Sequence, residues 1–229
     1  MSVKLLSPLV PPSMTTTQRN ALPTSAGRQP PGALIWNSTT GRIEINLGSD
    51  AAPSWSPLAP EPAMRRLADT TLGSPALTVD MPGLAQTYAH LLIVANTRAV
   101  ATGNQGVYMQ LNGDTANNYQ WVCASWRNGA WAAGGADAVI GFWRLGTSIG
   151  ATTDIQWASH VALISDYTNA SKRKAYVALS SNYDGFNRFD ILGGRYIGAG
   201  AAITRLTFGV EGGAVNLDAG SRFTVYGLG

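Results

Sequence analysis

Near the end of the chain Phe223 and Val225 alternate with Arg222, Thr224 and Tyr226. This period of two sends alternate side chains to opposite faces of a β-strand. Leu206, Phe208 and Val210 repeat it one segment earlier. From about residue 64 onward, short runs of this kind recur between clusters of Gly, Asn and Asp. They predict strands over 64–71, 75–80, 87–96, 105–111, 118–125, 131–133, 137–145, 154–167, 173–181, 186–192, 202–211 and 220–228. No convincing helix interrupts them. Closely spaced short strands with turn residues between them predict an all-β, jelly-roll-like β-sandwich over 64–229.

The first 50 residues read differently. Thr15-Thr16-Thr17-Gln18 is a Thr-x-x-Gln capping box, and Pro23 follows as a stop, so a helix of one or two turns is expected. Residues 33–36 and 42–47 read as two short strands around the turn chemistry of Asn37-Ser38-Thr39-Thr40-Gly41. Two strands are marginal in water. The apolar Leu34, Trp36, Ile43 and Ile45 therefore need a further surface, and symmetric self-association would supply it. Pro53, Pro57, Pro60 and Pro62 follow, so 51–63 is expected to be a semi-rigid extended linker between an N-terminal segment and the sandwich.

Composition narrows the possibilities. Charged residues are 13% of the 229, against 45% apolar, too few for a helical bundle or coiled coil and too hydrophobic for disorder throughout. The net charge of +3 is spread thinly, four basic and two acidic groups in 1–60 and twelve and eleven beyond, so no nucleic-acid face is expected. Lys172-Arg173-Lys174 reads as a solvated run. Cys123 is the only cysteine, which excludes an intrachain disulfide and a cysteine zinc site. No apolar stretch approaches a membrane span, and the first residues lack the apolar core of a signal peptide, so a protein made in a cytoplasm and not inserted in a membrane is expected.

The residues that carry chemistry elsewhere read here as structural. His90 and His160 fall inside strand runs, and Cys123 shares a strand face with Tyr119 and Trp121. No nucleophile elbow, zinc-protease helix or phosphate loop is present. The oxygen-rich Asn112–Asn118 run lacks the register of a calcium loop, and a turn whose Asn and Asp side chains bond their own backbone explains it. No catalytic residue, cofactor or metal is expected. The tryptophans say more. In Trp126-Arg127-Asn128-Gly129-Ala130-Trp131 the Asn-Gly pair is a strong hairpin turn, which places Trp126 opposite Trp131. Such a pair staples the hairpin or sits in a subunit interface. With Arg127 and Asn128 beside it, it is also the best cluster for stacking on a host glycan. Trp121, Trp143 and Trp157 are expected in the core.

Two segments resemble known proteins. Met14-Thr15-Thr16-Thr17-Gln18-Arg19-Asn20-Ala21-Leu22-Pro23, followed by Gly32-Ala33-Leu34-Ile35-Trp36-Asn37 and Thr40-Gly41-Arg42-Ile43-Glu44-Ile45, resembles a short module of tailed-phage fibre and appendage proteins. Tyr88-Ala89-His90-Leu91, Leu111-Asn112-Gly113-Asp114 and the ending Ser221-Arg222-Phe223-Thr224-Val225-Tyr226-Gly227-Leu228 look like the β-sandwich that ends many phage minor structural proteins.

The resemblance implies a non-enzymatic virion structural protein of tail-fibre or appendage type, on the virion surface. It would assemble as a homotrimer and present the sandwich for host-surface attachment. Residues 1–50 would be its attachment segment to other virion proteins, with Leu5, Leu6, Leu9 and Val10 filling pockets on the neighbour. The main alternative is a capsid decoration protein or head fibre that stabilises the shell. A free lectin and a hydrolase are more distant readings.

Overall fold

The computed structural model describes residues 12–21, 31–49, 51–58, 63–101, 103–127, 129–150, 157–183 and 187–229. The chain divides into two compact units, Met1–Pro62 and Ala63–Gly229. Leu5, Leu6, Leu9, Val10, Asn128 and the 154–156 part of an expected strand lie outside the described residues.

The first unit contains β1 (Ser13–Met14), α1 (Thr16–Asn20), β2 (Leu34–Asn37), β3 (Arg42–Asn46) and β4 (Trp55–Pro57). The capping box forms as the sequence predicts, the Thr15 hydroxyl accepting from Gln18 N–H and the Gln18 side chain accepting from Thr15 N–H. The hairpin also forms, with Leu34 opposite Ile45 and Trp36 opposite Ile43. Two additions change the picture: β1 pairs in parallel with β2, and β4 pairs antiparallel with β3, giving a sheet in the order β1-β2-β3-β4. The expected linker over 51–63 is therefore not all spacer. Leu47 N–H donates to Ser54 O and Leu58 N–H to Ile43 O, so the even positions of this segment face β3. Pro57 sits between them, opposite Glu44, where its missing N–H points away from the ladder.

The second unit contains β5 (Met64–Thr71), β6 (Thr78–Pro82), β7 (His90–Ala99), β8 (Gln105–Leu111), β9 (Tyr119–Arg127), β10 (Ala130–Ile140), β11 (Trp143–Gly150), β12 (Ala158–Ile164), β13 (Ala175–Tyr183), β14 (Asn187–Tyr196), β15 (Arg205–Val210) and β16 (Arg222–Leu228). They form a β-sandwich, as expected. One sheet runs β10-β9-β14-β13-β12-β7-β16-β5 and the other β11-β8-β15-β6, joined where β11 meets β7 in a short parallel pairing. The sequence pattern misplaces one boundary. Gly134 and Gly135 read as a break between two strands, but β10 runs through them, paired with β9, and the chain turns at 141–142 instead. Gly141 is the residue that turn needs, because a Cβ there would meet Thr115 O at 2.8 Å.

Alternation fills the space between the sheets. Leu91, Ile93, Ala162, Ile164, Tyr176, Ala178, Phe208, Phe223 and Val225 are buried there with Trp143. Trp121 is also in the core, whereas Trp157 is half-buried under the Arg98 guanidinium, 4.7 Å from its ring centre.

One end of this core is polar. Thr97, Thr147, His160, Ser180, Asn182 and Asp190 are all buried. His160 Nε2 lies 2.8 Å from Thr97 Oγ1, Asn182 donates to Thr147 O at 2.8 Å, and Asp190 accepts from Ser125 and Arg188. Gly146 lies against His160 and Ser180, where any side chain would collide with both.

Burial of the His160 ring pulls its pKa down from 6.5 to about 4, with the Asp190 carboxylate opposing. The unfolded chain therefore binds this proton at a higher pH than the folded one. Stability is expected to fall as pH drops from about 6.5 to about 4. Urea unfolding across that range checks it, and His160→Gln should flatten the slope at a cost in stability at neutral pH. An unchanged slope in the variant would assign the effect to other groups.

Candidate functional site

The small sheet turns polarity inside out. Asn37, Glu44 and Asn46 are buried, while Trp36 on the opposite face is 40% exposed. The burial follows from a closed network. Asn37 Nδ2 donates to Glu44 Oε1 at 3.0 Å and to Thr16 Oγ1 at 2.9 Å, and its Oδ1 accepts from Thr39 N–H at 3.0 Å. Thr40 Oγ1 donates to Glu44, and Arg19 from α1 forms an ion pair with the same carboxylate. Asn46 Oδ1 accepts from Gly48 and Ser54 N–H, both at 2.9 Å. Buried polar groups are tolerable only when bonded in this way. The Thr-x-x-Gln-Arg and Asn-x-x-Thr-Gly-Arg-x-Glu segments thus meet at one carboxylate.

Leu34, Trp36, Ile43 and Ile45 share the other face, as the alternation predicts. Leu47 and Leu58 extend that face, Leu47 bonded opposite Ser54 and Leu58 opposite Ile43, and both are exposed. Sequence reasoning misses Leu58 because the prolines of 51–63 read as spacer, whereas Leu47 ends the strand expected over 42–47 without being counted in the patch. Of these six apolar side chains, Trp36, Ile43, Leu47 and Leu58 are exposed and Leu34 and Ile45 half-buried, a large apolar patch for so small a sheet.

The second cluster lies on the outer face of the large sheet. Arg127 pairs with Ala130 and Trp126 with Trp131, the register the Asn-Gly turn predicts. The two indole rings meet edge to face at 5.5 Å. Trp126 is still 37% exposed and Trp131 56%. Phe189, opposite Trp126 across the β9–β14 pairing, continues the row and is also exposed. Arg127 points to the inner side, lining an open hollow of about 260 Å³ with Arg144 and Arg188, so it does not flank the indole faces as expected. Alternation accounts for this: an odd neighbour of Trp126 must face the other way.

The remaining sequence candidates are held by local hydrogen bonds or packing. Asp166 N–H donates to His90 Nδ1, and Cys123 packs partly buried against the core. Asp114 accepts from Ala116 N–H as a turn residue does, whereas Asn112 binds across to Thr204 and Arg205. Lys174 departs from the solvated reading: it is buried, and its ammonium donates to Asp166 O and Asn169 O. Burial pushes its pKa below the usual lysine value.

Among the described residues no group of three or more His, Cys, Asp or Glu could hold a metal ion, and no helix is long and apolar enough to cross a membrane. Comparison with known proteins finds no matching family model, no similar curated protein and no similar solved structure.

Glu44→Ala is expected to leave the Arg19 charge without its carboxylate and Asn37 Nδ2 short of one acceptor, costing about 3–5 kcal/mol, enough to open a sheet this small. Limited proteolysis of 12–58 against an intact second unit would read it; unchanged resistance would mean the network carries little. At the other cluster, a double-mutant cycle on Trp126→Ala and Trp131→Ala should give a coupling of about 0.5–1.5 kcal/mol. A coupling near zero would mean that the rings adjoin without stapling the hairpin.

Proposed function

We propose that this chain is a non-enzymatic structural protein of a tailed-phage virion, a trimeric fibre or appendage subunit anchored through its N-terminal unit and presenting the sandwich outward to the host surface. The observation that carries the reading is the inverted small sheet. Its buried side holds the Asn37–Glu44–Arg19 network beside Ile35, while Trp36, Ile43, Leu47 and Leu58 stand exposed on the other, with Leu34 and Ile45 half-buried among them. A fold that seals its polar side and exposes its apolar side is built to be completed by other protein surface. The phage module that 14–45 resembles supports the choice of setting, and Leu5, Leu6, Leu9 and Val10 add apolar groups at the same end of the sequence.

The mechanism in this reading is mechanical. The N-terminal unit is held by neighbouring virion subunits, and three linked sandwiches bind a surface with the avidity of tethered sites, which exceeds single-site affinity by orders of magnitude. No proton transfer or bond cleavage is assigned to any residue. A decoration protein or head fibre on the capsid shell would use the same anchoring surface and differ in where it is held.

Deleting residues 1–30 is expected to leave the second unit folded by circular dichroism and to abolish incorporation into particles. Trp36→Ser should reduce incorporation without unfolding the sandwich. Full occupancy of either variant on purified virions would place the anchor elsewhere. Labelling on intact particles then separates tail from shell.

A further inference from the structure

The large sheet has two apolar faces, and β11, β8, β15 and β6 cover one of them. The uncovered face is organised in rows that cross six strands. Val94, Val161, Leu179, Ile191, Ala124 and Ala133 stand opposite one another in a single register line from β7 to β10. Leu92, Leu163, Val177, Gly193 and Val122 form the line on one side of it. Asn96, Ser159, Ser181, Phe189, Trp126 and Trp131 form the line on the other. None of these side chains is ionisable. Val177 is 59% exposed and Leu179 48%.

We infer that this face is the contact between copies of the chain, the sheets of a trimer turning it toward a common axis. The inference rests on the self-associating reading given above and adds the surface that joins the sandwiches.

Three features point to a copy of the chain as the occupant. The first is size. Six strands about 4.8 Å apart and three same-face rows about 6.7 Å apart project to about 600 Å². With side-chain relief that approaches the ~800 Å² one partner buries in a standard interface, and it reaches the top of the range for apolar patches on monomers.

The second is charge. An uncharged centre offers nothing to select an acidic or basic partner. Charges appear only at its margins, where Arg222 is bonded to Asp69 at 2.7 Å and Arg195 to Gln120 at 2.7 Å, each within the chain. A neutral centre with a polar rim is the anatomy of a protein interface.

The third is shape. Gly193 and Gly194 leave an open hollow of about 510 Å³ bordered by Val122, Gln120 and Arg195. Val177 projects from the neighbouring strand directly opposite Gly193. A knob beside a hollow on one face lets each copy insert into the next around a closed ring. Trp126 and Trp131 then become the aromatic anchors at one end of the contact, covered on assembly.

The test uses the full chain with Leu179→Cys, a small and half-exposed replacement, and wild type carrying Cys123 alone as the background. Mild oxidation should give an interchain disulfide seen as a dimer-sized band on a non-reducing gel. Adding Val177→Lys should remove most of that band while circular dichroism stays that of the folded chain. Light scattering on the same samples reports whether wild type assembles above 24.1 kDa. An assembled wild type whose Leu179→Cys variant gives no cross-link overturns the inference and leaves the appendage reading standing. A cross-link that persists at full strength with Val177→Lys also overturns it, as does a wild type that stays monomeric at micromolar concentration. The virion reading is judged separately, by incorporation into particles.

Discussion

The sandwich depends on Trp143 of β11 lying against Tyr176 of β13, rings stacked at 4.6 Å, with Tyr119 of β9 set edge-on to the same indole. This is where the four-stranded sheet grips the eight-stranded one. Trp143 is fully buried, and the Tyr176 hydroxyl reaches across to donate to Arg144 O at 2.6 Å. Buried aromatics contribute more area per residue than any other side chain. The polar seam around His160 can exist beside this cluster because the aromatic contact, not the seam, holds the sheets together. It also brings β11 over β13, so that Gly146 closes on His160 and Ser180.

Covering one face in this way fixes what happens to the other. In β13 every even residue from Tyr176 to Asn182 is buried and every odd one from Ala175 to Tyr183 exposed. A strand with one wet face normally carries polar residues on it. Here Val177 and Leu179 occupy it instead, and Val161 and Ile191 stand beside them on the flanking strands. The small sheet does the same with its own pair of faces. Both units therefore carry a hydrogen-bonded polar cluster inside and leave apolar surface outside.

Much of this was legible in the chain and some was not, for identifiable reasons. The capping box, the hairpin registers at Leu34–Ile45 and Trp126–Trp131, and the burial of Phe223 and Val225 all follow from local rules, in which a few neighbouring residues decide the outcome. The continuity of β10 did not, because Gly134 and Gly135 weaken a strand intrinsically and only their pairing with β9 overrides that. The strand at Trp55–Pro57 was hidden by proline count, since whether Pro57 faces the ladder or turns away is set by register. Lys174 was hidden by its neighbours: a three-residue basic run gives no sign that its last member will find loop carbonyls. The outer apolar rows could not be read either, for a subtler reason. Each strand shows only that both of its faces are apolar, and which face the second sheet covers is decided by distant residues such as Trp143.

The division of surface and core in the sandwich follows from the same choice of face. Had the face bearing Val161, Val177 and Leu179 been the inner one, His160, Ser180 and Asp190 would have been the solvent face, and the sandwich would look conventional from outside. The aromatic residues settle the choice. Tyr119, Trp121 and Tyr176 share a face with Cys123, Ser180 and Asp190 by strict alternation, and this is the face on which Trp143 of β11 packs. The polar seam is carried inward as a consequence and must find partners within itself, which is why Thr97 lies against His160 while Thr147 and Ser125 both reach Asp190. The valines and leucines are carried outward by the same alternation. An apolar outer face and a polar inner seam are thus one feature seen from two sides, and the aromatic contact on the inner side sets both.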